Sequence, residues 1–170
     1  VEIIINPFRI DNNLDRLNVI SEISINIELG GGIRSQEDVN FWTNSGISFL
    51  IIGSMAVKNP ENVKKLSNDF PNRFYISLDD LGGHTMIYGW VKKSKIFTEE
   101  IIFNFNKSNI RGYVFTDVPR DGMLAGLDVD KLSHYLSISN KPMIVGGGLS
   151  NHNDIKNLSN LNNPHLEGVI

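Results

Sequence analysis

The sequence contains no cysteine, which excludes disulfide bonds, thiolate metal sites and thiol nucleophiles. It has no apolar run near the about 20 residues that a membrane-spanning helix needs, and its first residues lack the layout of a signal peptide. Basic residues are not in excess: 16 Lys and Arg stand against 19 Asp and Glu, which disfavours a general nucleic-acid or anionic-membrane binder. These absences predict a cytoplasmic protein with no nucleic-acid or membrane partner.

Histidine is sparse, and the four that occur show no metal-ligand spacing. The sequence also contains no Ser-His-Asp arrangement, no P-loop and no dinucleotide-binding fingerprint. We therefore predict no metal site and no cofactor, and we expect the histidines to be solvated surface residues.

Short β-branched runs alternate with amphipathic segments, which predicts an α/β fold with a parallel sheet covered by helices. The 170 residues, 41% of them hydrophobic, are enough for one buried core and too few for two ordinary domains. Seven strands are predicted at 1–5, 25–29, 48–53, 73–79, 112–117, 142–146 and 166–170. Six helices are predicted near 12–22, 36–45, 60–69, 97–108, 128–138 and 151–160.

The chain also contains an internal repeat. The run GGGI at 30–33 is followed by Asp38, and GGGL at 146–149 is followed by Asp154, with an offset of 116 residues throughout. Units four strands apart lie on opposite sides of a barrel mouth, so the repeat favours a (β/α)8 TIM barrel made of two half-barrels. Such a barrel usually takes about 250 residues. We therefore expect residues 1–170 to be one barrel domain that lacks its N-terminal β/α unit and its C-terminal helix.

Glycine-rich turns after two predicted strands are candidate phosphate sites, because glycine lets backbone N–H groups approach an anion closely. Either turn alone can equally be a tight βα connection that needs a positive φ. Arg34, directly after the first turn, can pair with phosphate or form a surface salt bridge. The candidate anion-binding residues are Gly32, Arg34, Gly53, Ser54, Gly147 and Gly148.

Polar residues end the next two strands of the predicted barrel. Asp79 is a candidate acid or base, or else a loop cap, whereas we expect Asp80 to point the other way into solvent. Thr116 can hydrogen-bond a substrate, and Asp121 begins either a closing loop or an ordinary turn. The connection 80–96 is long enough to be a lid, in which Trp90 either stacks on a heterocycle or anchors its own loop.

As a set, motifs spread over residues 12–170 resemble the histidine-biosynthesis isomerase family that acts on phosphoribosylformimino-5-aminoimidazole carboxamide ribotide. The motifs are ELGGGIRS at 28–35, IIGSMAVKNPE at 51–61, SLD at 77–79, GW at 89–90, TD at 116–117, RDG at 120–122 and GGG at 146–148. This family has a (β/α)8 barrel of two similar halves. Its reaction is an Amadori rearrangement, in which an aminoaldose ring opens and becomes an aminoketose.

The resemblance implies a role for each matching residue. Asp79 matches the aspartate that donates a proton to the ribose ring oxygen, and Thr116 matches a substrate-contacting threonine. Trp90 and Asp121 match residues of mobile loops near the substrate. Gly32, Arg34 and Ser54 match the first phosphate site, and Gly147 and Gly148 match the second.

The family's catalysis uses two aspartates and no metal, and the second aspartate lies on its first strand, where no residue of this sequence matches it. We expect a monomer that acts on a small bisphosphorylated ribotide. The sister cyclase that makes imidazole glycerol phosphate shares the repeat, but residues 53–54 and 89–90 favour the isomerase. A third interpretation is an inactive phosphosugar-binding barrel that keeps Arg34 and the glycine turns.

Overall fold

The computed structural model describes residues 26–170 together with the backbone of residues 2–5. No helix in these ranges is long and apolar enough to cross a membrane. The strands are β1 (Glu2–Ile5), β2 (Asn26–Gly30), β3 (Phe49–Ile52), β4 (Phe74–Leu81), β5 (His84–Ile87), β6 (Lys92–Phe97), β7 (Gly112–Asp117), β8 (Met143–Gly146) and β9 (Leu166–Val169). The helices are α1 (Gln36–Asn44), α2 (Ser54–Lys58), α3 (Pro60–Asp69), α4 (Thr98–Phe105), α5 (Val129–Ile138) and α6 (His152–Asn160).

Seven parallel strands form one curled sheet in the order β1-β2-β3-β4-β7-β8-β9. From β2 onward, each parallel strand is joined to the next by a crossover connection, which places the described helices against one face of the sheet. The architecture is that of a partial (β/α)8 barrel, so the predicted fold class and all seven predicted strands are confirmed. The helix predicted near 12–22 lies outside the described residues.

Side chains of the strands alternate between an outer face under the helices and an inner face. On β4, Ile76 and Leu78 pack into the large core shared with the helices, whereas Tyr75 packs into a smaller cluster on the inner face. Ser77 and Asp79 follow Tyr75 at intervals of two and therefore also lie on the inner face. The smaller cluster is completed by Phe49, Ile51, Val114 and Ile144.

The connection 80–96 is largely a β-hairpin and not the long loop that the sequence suggested. Antiparallel strands β5 and β6 pair with each other, and β5 pairs with the end of β4. Thr85, Met86 and Ile87 are buried, which stabilises β5 against the protein body. The structure also adds α2, a one-turn helix that the sequence analysis did not predict.

Candidate active site

Asp79 and Thr116 lie directly opposite each other on the paired strands β4 and β7. Both are on the inner face near the carboxyl ends of their strands, where barrel enzymes place catalytic groups. Ser77 Oγ donates a hydrogen bond of 2.8 Å to Asp79 Oδ2. The structure therefore brings together the two residues to which the resemblance assigns contact with the reacting sugar.

Burial raises the pKa of the Asp79 carboxyl above its ordinary value. Hydrogen bonds from Ser77, Trp90 and Thr116 favour the carboxylate, but they do not cancel the effect of burial on the pKa. The negative charge of Asp121 raises the pKa further. A carboxyl group in this environment keeps its proton to a higher pH, which is the state that a proton donor requires.

Trp90 and Asp121 approach Asp79 from two different surface segments. Trp90 lies in the turn between β5 and β6 with a φ of +68°, and its side chain is 40% exposed. Asp121 is exposed in the loop after β7, and its N–H donates to the Asp117 carbonyl at 3.0 Å. An interaction with the Trp90 side chain lowers the pKa of Asp79, so the hairpin tip lies near this carboxyl group.

Asp80 is fully buried, so the prediction of a solvated loop residue is wrong. Alternation does turn Asp80 away from Asp79, but the outer face is covered here by α4 and α5 instead of water. Asp80 Oδ2 accepts hydrogen bonds from Thr98 Oγ1 at 2.8 Å and from the Tyr135 hydroxyl at 3.0 Å. The carboxylate thus belongs to a polar cluster inside the protein.

The first glycine turn joins β2 to α1 and has positive φ at Gly31 (+102°) and Gly32 (+74°). Ser35 caps α1, and Asp38 Oδ2 accepts from the N–H groups of Arg34 at 2.8 Å and Ser35 at 3.0 Å. Arg34 is exposed at this turn. The turn therefore places a guanidinium group beside a helix N-terminus at the carboxyl edge of the sheet.

The second glycine turn, between β8 and α6, repeats this geometry at an offset of 116 residues. Asp154 Oδ2 accepts from the N–H groups of Ser150 at 2.8 Å and Asn151 at 3.2 Å, as Asp38 does at the first turn. Gly147 and Gly148 have φ values of +88° and +108°. A Cβ on Gly147 would lie 2.6 Å from the Asp117 carbonyl oxygen, so this turn is packed tightly against the end of β7.

Gly53 and Ser54 follow β3, between the first glycine turn and Asp79. A Cβ on Gly53 would lie 3.8 Å from the Ser77 Cβ, which places this turn beside the side chain that bonds Asp79. Ser54 Oγ accepts a hydrogen bond of 2.7 Å from the Tyr88 N–H. The predicted phosphate-side residues and the hairpin are thus in direct contact.

The sequence analysis missed Ser77 and Tyr88. The period of two along a strand was a usable signal for Ser77, because it puts Ser77 on the same face as Asp79. No local signal pointed to Tyr88, since its contact with Ser54 depends on how the hairpin folds back over the end of β3.

Comparison with known proteins identifies the family of the chain. Residues 10–170 match the family described as "Histidine biosynthesis protein". The chain belongs to this family. The matched residues of this histidine biosynthesis protein include both glycine turns and every residue of the site described above.

Three relatives show how far the similarity to individual family members extends. The chain is 34% identical over 152 residues to a protein of Thermosynechococcus vestitus, which covers 89% of the chain and 59% of the relative. It is 35% identical over 153 residues to one of Prochlorococcus marinus (90% and 60%) and 35% over 137 residues to one of Halothermothrix orenii (80% and 58%). All three are named 1-(5-phosphoribosyl)-5-((5-phosphoribosylamino)methylideneamino)imidazole-4-carboxamide isomerase. The chain spans about 60% of the length of these relatives.

Proposed function

We propose that the protein is an aldose–ketose isomerase of histidine biosynthesis, which converts a bisphosphorylated aminoaldose ribotide into the aminoketose by Amadori rearrangement. The names of its relatives support this activity. The proposal includes a monomeric, cytoplasmic protein that needs no cofactor and forms one barrel domain over residues 1–170. The single described sheet supports the one-domain part of the proposal.

The observation that carries the proposal is the half-buried Asp79 carboxyl group near the carboxyl end of β4, which accepts a hydrogen bond from Ser77 and has Thr116 opposite it on β7. Asp79 donates its proton to the ribose ring oxygen as the bond between that oxygen and C1 breaks and the nitrogen lone pair forms a C=N bond, which leaves an open-chain protonated Schiff base. A base then removes the proton from C2, the electrons of the C–H bond form a C1=C2 double bond and those of the C=N bond return to nitrogen, which gives an enaminol. Addition of a proton at C1 and loss of the proton from the C2 hydroxyl give the ketone at C2, so the product has the composition of the substrate. The described residues supply the acid, and we assign the base to none of them.

The two glycine turns are the proposed phosphate sites. Arg34 and Gly32, with Gly53 and Ser54 directly after the neighbouring strand β3, would hold one phosphate group beside a helix N-terminus. Gly147 and Gly148 would hold the other. The same pattern of hydrogen bonds in the two turns supports a ligand with a phosphate at each end.

The experiment follows conversion of the aminoaldose ribotide spectroscopically, with the full-length protein and its Asp79→Asn variant. Loss of the proton donor is expected to lower kcat by roughly 10²- to 10⁴-fold. Asp69→Asn, the same change at an exposed site at the end of α3, is the matched control and should keep wild-type turnover. Undiminished turnover in Asp79→Asn would overturn the role of Asp79. Absence of turnover in the wild type would overturn the isomerase, and ribotide binding without turnover would indicate the phosphosugar-binding barrel instead.

A further inference from the structure

A buried ionic cluster lies directly behind the candidate active site, on the opposite face of the sheet. Its centre is formed by Asp80 and Asp117, which pair in register on β4 and β7 and are 0% and 3% exposed. The Lys131 ammonium group on α5 bridges them, with Nζ 3.2 Å from Asp80 Oδ1 and 2.9 Å from Asp117 Oδ1. One lysine therefore connects the carboxyl ends of two strands.

Each carboxylate of the cluster has further partners. Asp80 Oδ2 accepts from Thr98 on α4 and from Tyr135 on α5, and Asp117 Oδ2 lies 3.4 Å from Arg120 Nε. Two buried negative charges on adjacent strands repel each other unless cations lie between or beside them. Lys131 and Arg120 supply these cations.

Each carboxylate of the cluster is adjacent in sequence to a residue of the candidate active site. Asp80 follows Asp79 on β4, and Asp117 follows Thr116 on β7, so each bridged residue is the chain neighbour of a site residue on the opposite face. Fixing the backbone at Asp80 and Asp117 fixes the direction in which the neighbouring side chains leave the sheet. Reacting groups that are misplaced by about 1 Å can lose roughly 100-fold in rate.

We propose that Lys131 is a positioning residue: by bridging Asp80 and Asp117 behind the sheet, it holds Asp79 and Thr116 in the arrangement that proton donation needs. This inference rests on the proposed isomerase function. Lys131 touches neither the sugar nor Asp79 in this scheme, and it acts only through the two strand ends.

Stability alone is a weak explanation for this cluster. Well-packed apolar side chains of similar volume often stabilise a fold as well as a buried ion pair does, whereas an ion pair fixes one arrangement of its partners. The cluster also holds the loop that carries Asp121. Arg120 Nη1 donates a hydrogen bond of 3.1 Å to the Gly126 carbonyl oxygen, and Arg120 Nη2 lies 4.0 Å from Asp128 Oδ2 at the far end of the loop. Strand ends and loop are thus fixed by the same charges.

The test compares Lys131→Met and Lys131→Arg in the full-length protein. We expect Lys131→Met to lower kcat by roughly 10- to 100-fold with KM changed less than about threefold, because substrate contacts remain while the acid is misplaced. Lys131→Arg keeps a cation between the carboxylates and should restore most of the rate. Lys64→Met is the matched control, since Lys64 is a helical lysine of similar exposure (27% against 24%) that pairs with Glu61 elsewhere. It should behave as the wild type.

A second readout does not depend on turnover. In a Trp42→Phe background, Trp90 is the remaining tryptophan of residues 1–170, and its fluorescence should follow the ionisation of Asp79, whose pKa is lowered by an interaction with the Trp90 side chain. The midpoint of this pH titration should move in Lys131→Met and stay in Lys64→Met, while Asp121, whose charge also acts on Asp79, is present in all variants. If the wild type does not convert the ribotide, the proposed function is wrong. The midpoint of the Trp90 titration then still tests whether Lys131 positions Asp79.

Folding of each variant is checked by circular dichroism, and activity is measured well below its unfolding temperature. If Lys131→Met does not fold, the double variant Asp80→Asn/Lys131→Met removes one charge of each sign and takes its place, with the same loss of kcat expected. A folded variant with wild-type kcat and an unmoved Trp90 midpoint would show that Lys131 only stabilises the fold, and the proposal would be wrong.

Discussion

The Tyr88 N–H donates a hydrogen bond of 2.7 Å to Ser54 Oγ across 34 residues of sequence. Ser54 begins α2 at the carboxyl end of β3, and Tyr88 lies at the tip of the β5–β6 hairpin with a φ of +59°. The Lys58 ammonium group lies 5.0 Å from the centre of the Tyr88 ring and adds a second contact. The hairpin tip that carries Trp90 is therefore attached to the turn of the first proposed phosphate site.

Ser54→Ala should loosen this attachment. The Tyr88 amide loses its acceptor, and because Tyr88 is exposed, water replaces the hydrogen bond at a net loss of about 0.5–1.5 kcal/mol. Hydrogen exchange at Tyr88, measured by NMR, should become roughly 2- to 10-fold faster. Ser45→Ala removes a comparable side-chain hydrogen bond at the end of α1 and should leave Tyr88 exchange unchanged. Equal Tyr88 exchange in wild type and Ser54→Ala would show that this bond does not hold the hairpin.

Ionisation of Asp79 should lower the free energy of unfolding as the pH rises. Its folded-state pKa is raised above that of the unfolded chain, so the folded protein binds more protons between the two values and stability falls as the pH increases through that window. Asp79→Asn removes the ionisation and should be more stable than the wild type at neutral pH. Urea unfolding at several pH values tests this, and the difference should shrink below the unfolded-state pKa of about 3.9. A constant difference at every pH would contradict the burial argument.

Gly147 should tolerate no side chain. A Cβ there would lie 2.6 Å from the Asp117 carbonyl oxygen, and the φ of +88° is unfavourable for any residue with a Cβ. Gly147→Ala should lower the free energy of unfolding by more than about 2 kcal/mol, measured by chemical denaturation, because the clash adds to the strain of the positive φ. Gly89 has a φ of +64°, but a Cβ added there would meet open space. Gly89→Ala should therefore lower the free energy of unfolding by only about 1–2 kcal/mol. Equal costs would mean that the clash with β7 relaxes freely.

Asp154 should stabilise the second glycine turn in a pH-dependent way. Hydrogen bonds from Ser150 and Asn151 hold the pKa of Asp154 below its ordinary value. Stability gained from its carboxylate is therefore present above the unfolded-state pKa and lost as the pH falls through the folded-state pKa. Asp154→Ala should lower Tm at neutral pH, and the difference should vanish in acid. Asp38→Ala, at the equivalent position of the first turn, should also lower Tm at neutral pH, whereas Asp69→Ala should not.

The fold was predictable because its signals are local. Each predicted strand is a short β-branched run between turn residues, and each of these runs lies in the parallel sheet. The repeat was equally local, since glycines and an aspartate at fixed spacing produce the same cap in both copies. The β5–β6 hairpin was not recognised, because its lysine-rich second strand lacks the apolar alternation of a buried strand.

The site was predictable only on the face that points inward. Asp79 and Thr116 end strands, and position alone marks them as candidates. Asp80 was misjudged because alternation gives the direction of a side chain and not what covers it, and here two helices cover it. Lys131 carries no local signal at all, since its two partners are 14 and 51 residues away and meet it only in the folded protein.

The β5–β6 hairpin is an insertion with respect to the parallel sheet, because β4 pairs directly with β7 and neither β5 nor β6 lies between them. Its length and sequence can therefore change without altering any pairing of the parallel strands. If the proposed function holds, substitutions in the hairpin will change the surroundings of Asp79 through Trp90 and leave the parallel sheet as it is.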